Sequence, residues 1–118
     1  MRLARAIVFV QELDVMTAFY RDGFGLAVRH EAPGWVELDG VALHAIPDAI
    51  AGGITIDDPP SPRVDTPIKL VFAAPDLEAA RAHLIELGAQ MGDVKDWGAC
   101  DGVDPEGNVF QIIAGGLG

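Results

Sequence analysis

An internal repeat constrains this 118-residue chain more than any other feature. Ile7-Val8-Phe9 matches Leu70-Val71-Phe72 at an offset of 63, and Gly25 matches Gly88 at the same offset. Arg5 pairs with Lys69, and Leu13 with Leu77, at 64. The run from Asp39 to His44 echoes Glu106 to Gln111 at 67. The drift implies small loop insertions between two copies of one supersecondary unit. Two unrelated halves would not restart the same order of elements.

The first copy reads β-α-β-β-β. Residues 6–10 (AIVFV) are short, β-branched and aromatic, as a buried strand requires. Asp14 is placed to cap a helix, with Gly23 and Gly25 as stops. Leu26–Glu31, Trp35–Leu38 and Val41–Ile46 follow as strands. Pro33-Gly34 and Asp39-Gly40 separate them, and Asp-Gly is a strong hairpin signal. Five of the eight prolines then fall in residues 47–67, with Asp48, Asp57, Asp58 and Asp65. That composition marks a linker, in which Ile54-Thr55-Ile56 has the pattern of a short extra strand. The second copy opens with a strand at Ile68–Ala74. Asp76 is its helix cap, Glu78 suits the first turn, and Gly88 is the stop. Ala89–Lys95, Trp97–Asp101 and Asn108–Ile113 complete it, with a turn at Asp104–Gly107.

The expected fold is α+β: two βαβββ modules in a single domain spanning 1–118. Module one is 3–46, the proline-rich linker 47–67 and module two 68–113. One domain suits the length, since domains commonly run to about 100–150 residues.

Composition narrows the partners. The net charge is −10, from 18 acids and 8 bases. Phosphate and anionic-lipid surfaces need basic patches, so nucleic acid and membrane are both disfavoured. The apolar run after Arg2 and Arg5 spans five residues, short of the roughly 7–15 of an export signal. A single cysteine, Cys100, excludes a disulfide framework and fits a cytoplasmic setting. It has no cationic neighbour in sequence to favour a thiolate, so it does not read as a nucleophile. Half the residues are hydrophobic before the 14 glycines are counted. Globular chains average about 45–50% with glycine included. The excess points to a homodimer or to an apolar ligand cleft.

Several segments together resemble the vicinal oxygen chelate superfamily, the group of glyoxalases, bleomycin-resistance proteins and extradiol dioxygenases. They are Glu12-Leu13, Ala18-Phe19-Tyr20, Phe24-Gly25-Leu26, the stretch Gly34–Leu38, Trp97-Gly98 and the closing run Asp104–Gln111. The resemblance covers residues 3–113. It implies a cleft of curled mixed sheets and frequent dimers. It also implies a divalent metal held by His, Glu or Gln from the first and last strands of each module. Those positions fall on Arg5, His44, Lys69 and Gln111. Arginine has no lone pair to offer, and lysine would first have to lose its proton. The expectation is therefore no metal and no cofactor.

Strand alternation then sets the cleft wall. Ile7 and Phe9 go with Arg5, Ala42 and Ile46 with His44, Val71 and Ala73 with Lys69, and Val109 and Ile113 with Gln111. The opposite faces carry Val8, Val10, Leu43, Leu70, Phe72, Phe110 and Ile112 toward the helices. An apolar wall with a few polar groups suits a small-molecule site. The candidate ligand-binding residues are Arg5, Phe9, Trp35, His44, Lys69, Trp97 and Gln111. Arg5 and Lys69 would clamp an anion, and the two tryptophans offer stacking surfaces. The expected function is binding or sequestration of a small-molecule ligand of anionic character, without metal. The alternative is a lyase, isomerase or dioxygenase of the same superfamily, with His44 the best candidate catalytic base. A third reading is an interaction module with a closed cleft.

Overall fold

A computed structural model describes residues 1–47, 54, 56–63 and 65–115. The chain divides into two compact units, Met1–Asp57 and Asp58–Gly118. Each repeats the βαβββ order, as the repeat requires.

In the first unit, β1 (Ala6–Val10) leads into α1 (Leu13–Phe24) and then β2 (Val28–Ala32), β3 (Trp35–Leu38) and β4 (Val41–Ala45). The sheet order is β1-β4-β3-β2. β1 and β4 are parallel and the other pairs antiparallel, so the sheet is mixed. Parallel strands need a crossover, which the helix and the β2–β3 hairpin supply.

Two helix and strand starts differ from expectation. The helix begins at Leu13, so Glu12 occupies the N-cap position and makes no side-chain cap bond there. Asp14 lies inside the first turn, where its charge suits the helix dipole. The strand expected at 26–31 runs from Val28 to Ala32. Gly25, in the left-handed region at φ 68, ends the helix. Asp39 N–H donates to Ala27 O just before that strand begins.

The core of this unit lies between α1 and the strands β3 and β4. Met16, Phe19 and Tyr20 on α1 are buried with Val36, Leu38, Val41 and Leu43. Tyr20 stacks on Phe24, their centroids 5.4 Å apart, and Phe19 meets Tyr20 edge-on at 5.3 Å. This is the Ala-Phe-Tyr…Gly-Phe-Gly segment of the sequence, and its aromatic rings are packing, not site.

In the second unit, β5 (Leu70–Ala74) leads into α2 (Leu77–Glu86), β6 (Gln90–Met91), β7 (Ala99–Val103) and β8 (Val109–Ala114). The order β5-β8-β7-β6 repeats that of the first sheet, again with the first and last strands parallel. Asp76 caps α2 as expected, accepting from Ala79 N–H at 3.1 Å. The strand expected at 89–95 shortens to two residues. Gly92 N–H still reaches Asp101 O. Beyond it Lys95 N–H bonds Ala99 O and Gly98 N–H bonds Lys95 O, which turns residues 93–98 into a loop. The next strand accordingly starts at Ala99, not Trp97. Ile54 and Ile56 carry no strand; Thr55 lies outside the described residues.

Residues 104–108 form a tightly bonded turn. The buried Asp104 carboxylate accepts from Glu106 N–H, Asn108 N–H and Asn108 Nδ2, each at 2.9 Å. An Asp bonding its own downstream backbone is the usual device for fixing such a turn. Gly107 sits at φ 95, and its O accepts from Arg63 N–H at 2.8 Å. The proline-rich segment is thus fastened to the β7–β8 turn rather than merely spanning a gap.

Candidate functional site

Side-chain burial alternates along β5 and β8, whereas Val41, Ala42 and Leu43 of β4 are all buried. Val10, Leu43, Phe110 and Ile112 are buried on the helix side. Ile7 and Val71, on the opposite face, are 46% and 50% exposed. An exposed aliphatic in mid-strand leaves one sheet face of each unit open for contact.

Register refines the equivalence of the two copies. Ile7 lies beside Ala42, and Ala42 beside Glu37. Val71 lies beside Gln111, and Gln111 beside Asp101. With Arg5 and Lys69 as equivalents, Gln111 therefore corresponds to Ala42, and His44 to Ile113. His44 and Gln111 occupy different sites in their modules, one residue pair apart along the same face.

On the first face, Arg5 is salt-bridged to Glu37. The guanidinium crosses the intervening strand β4, where Ala42 is small and fully buried. Next along the face, His44 packs between two rings. Phe9 is 5.6 Å away at a 30° tilt, and Trp35 is 5.4 Å away, edge-on at 74°. The expected residues Arg5, Phe9, Trp35 and His44 are thus brought to one face.

On the second face, three donors converge on Asp101. Lys69 Nζ is 3.1 Å from Oδ1, Gln111 Nε2 donates to the same oxygen at 3.0 Å, and Lys95 Nζ is 3.3 Å from Oδ2. Burial pushes the Asp101 carboxyl up, but the bonds from Gln111, Lys69 and Lys95 outweigh it and hold it below its ordinary value. Lys69 and Asp101 also line a groove of about 610 Å³ within this unit, with Pro62, Pro67, Met91 and Val109 among its walls. Trp97 stands apart in the 93–98 loop and is 67% exposed.

Glu37, Asp101 and Lys95 are the residues that sequence reading missed. A signal was present for two of them. Glu37 and Asp101 are charges in mid-strand, a rare position for a group without a partner. Their partners lie two strands away, about 10 Å across the sheet, which linear spacing does not reveal. Arg5 and Lys69, the two cations expected to clamp an anion, are each paired with a carboxylate of their own sheet.

The same geometry bears on a metal. Divalent cations take carboxylate, imidazole, thiolate or carbonyl donors. Here the two first-strand positions present an ammonium and a guanidinium, and the carboxylate beside each is engaged by it. Among the described residues, no group of three or more His, Cys, Asp or Glu is placed to hold an ion. This donor set does not fit a divalent metal. Cys100 is buried at 0% exposure, its Sγ donates to Gly92 O at 3.1 Å, and burial pushes its thiol up. It is a core residue. Among the described residues, no helix is long and apolar enough to cross a membrane.

Known structures carry the same fold. A protein of unknown function from Agrobacterium tumefaciens C58 superposes with a TM-score of 0.74 at 21% identity, covering 98% of this chain and 94% of its own. A glyoxalase/bleomycin resistance protein/dioxygenase family enzyme from Burkholderia phytofirmans PsJN gives 0.71 at 21%, covering 95% and 97%. The fosfomycin resistance protein FosX of Listeria monocytogenes, solved with Mn(II) and sulfate, gives 0.71 at 15%, covering 98% and 91%. No curated protein matches the chain. The glyoxalase-like domain family matches residues 6–113, the span of both sheets and both helices. The repeated βαβββ sheets and that match together show that this chain belongs to the glyoxalase-like domain family, within the vicinal oxygen chelate superfamily.

Proposed function

We propose that this chain is a metal-independent small-molecule-binding protein of its family, acting by ligand binding or sequestration. One observation carries the reading. Arg5 and Lys69 stand at the two first-strand positions, each paired with a carboxylate from the strand two places away. A metalloenzyme needs lone pairs there, and these side chains offer none. What the faces do offer is apolar wall with a few polar groups, the usual composition of a ligand site. Ile7, Phe9, Trp35 and His44 supply it in the first unit, Val71, Lys69 and Gln111 in the second.

The test has two arms. The protein is dialysed against Mn, Fe, Ni and Zn salts in turn, and retained metal is measured by plasma emission. Far less than one ion per chain is expected; one ion per chain, lost in Gln111→Ala, overturns the proposal. A compound library is then screened by thermal shift, where a ligand specific for the folded state raises Tm. Stabilisation that falls in Phe9→Ala or Val71→Ala supports the proposal. Turnover of a stabilising compound would instead favour an enzyme, with His44→Ala as the deciding variant.

A further inference from the structure

Lys69, Lys95 and Asp101 form an unbalanced cluster in a chain that is otherwise strongly acidic. Two ammonium groups share one carboxylate, one on each oxygen, so these three side chains sum to +1 while the whole chain carries −10. The Arg5–Glu37 pair of the first unit is balanced one to one by comparison. Lys69 and Asp101 line the groove of the second unit, whose volume of about 610 Å³ suits a small organic molecule. The rest of its wall is largely apolar, including Pro62, Pro67, Met91, Val103 and Val109.

We infer that this groove binds an amphipathic organic anion, its oxyanion head at the Lys69–Asp101 end of the wall, where Lys95 approaches from just outside the groove, and its apolar body against the proline and valine wall. The inference rests on the ligand-binding reading above and names the ligand's class and seat. Asp101 is then an internal stand-in for the ligand's head. It occupies the two cations when the groove is empty, steadied by Gln111 Nε2. An incoming carboxylate, sulfonate or phosphonate gains two charge-assisted hydrogen bonds from ammonium groups already gathered at one point. It does so against the repulsion of Asp101, which sets the affinity. Lys95 reaches this point from the 93–98 loop, whereas among the described residues Glu37 is joined by Arg5 with no second cation recorded beside it. The groove of the second unit, not the face of the first, is therefore the anion seat.

The experiment compares three probes of one shape: naphthalene-2-carboxylate, the neutral naphthalene-2-methanol and the cationic naphthalene-2-methylamine. Binding is measured by titration calorimetry at low and at moderate salt. The carboxylate should bind about tenfold more tightly than the alcohol, with the advantage shrinking as salt screens it. Lys95→Gln and Lys69→Gln should each remove most of that advantage, so that the carboxylate binds little more tightly than the alcohol. Asp101→Asn should act in the opposite direction and tighten the carboxylate several-fold, which a purely structural role for Asp101 would not do. Lys95 is half exposed in a loop, so its variant tests the inference even if Asp101→Asn unfolds. Equal affinity for all three probes overturns the inference and leaves metal-independent ligand binding standing. Binding of none, or a carboxylate affinity indifferent to Lys95→Gln, also overturns it. Failure of the underlying reading shows separately, as metal retained through dialysis.

Discussion

Arg5 and Glu37 are joined across strand β4, and the fully buried Ala42 lies between them on the same face. Lys69 and Asp101 are joined in the same way across β8. The two modules therefore carry one ion pair each at register-equivalent positions. Exposed ion pairs stabilise a fold by little. Their chemical consequence is larger, because each sets a protonated guanidinium or ammonium, which offers no lone pair, beside a carboxylate on the sheet face.

The Asp101 cluster should show in the pH dependence of stability. The folded carboxyl is held below its ordinary value, because hydrogen bonds from Gln111, Lys69 and Lys95 outweigh the effect of burial. A depressed carboxylate stabilises the fold above its unfolded pKa, and that contribution disappears as pH falls through the folded pKa. The wild type should lose stability progressively below about pH 4. Asp101→Asn should lose less over the same range. Urea denaturation of both proteins between pH 7 and pH 2.5 measures the difference; parallel curves would contradict it.

Asp104 should be among the costliest polar residues to replace. Its buried carboxylate satisfies three N–H groups of the 104–108 turn. Asp104→Ala leaves those donors without it, and a buried unsatisfied donor costs about 1–3 kcal/mol. A loss of about 2–4 kcal/mol in denaturant unfolding is expected. A loss below about 0.5 kcal/mol, the range of ordinary surface substitutions, would show that water replaces the carboxylate.

Gly107 should not tolerate alanine. It lies at φ 95, and an added Cβ would run into the backbone carbonyl oxygen of Ser61. Backbone cannot move aside as a flexible side chain can. Gly107→Ala should cost about 2–3 kcal/mol through strain and displacement of the 58–63 segment. Faster proteolysis within that segment should accompany the lower Tm. Gly40→Ala supplies the control, since it has positive φ and open space around it.

The two faces of the second sheet should respond oppositely to truncation. Phe110 is 1% exposed under α2, and Phe110→Ala should cost about 3–5 kcal/mol. Val71, 50% exposed on the other face, should cost less than about 0.5 kcal/mol when cut to alanine. Equal losses would mean that the exposed face is covered in solution.

The repeat made most of the architecture legible. A strand is specified by local alternation and a helix by its cap and stop, so β1 at Ala6–Val10 and the Asp76 cap were readable from neighbouring residues alone. The errors fell where distant contacts decide. Gln90–Met91 stops short because beyond Gly92 the chain loops, with Lys95 N–H bonding Ala99 O and Gly98 N–H bonding Lys95 O. His44 was aligned with Gln111 because the local strings look alike, whereas the strand registers align it with Ile113.

The amino-acid order by itself determined the two βαβββ units, the helix-facing side chains and the arrival of Arg5, Phe9, Trp35, His44, Lys69 and Gln111 on open sheet faces. Each follows from the residue period of a strand or a helix, which is a local property. Tertiary structure alone decided what those residues meet. Arg5 finds Glu37 and Lys69 finds Asp101 across an intervening strand, each partner 32 residues away in sequence, and Lys95 joins Asp101 from the 93–98 loop. Side-chain partners across a sheet are set by register and strand order, and only the folded sheet contains that information.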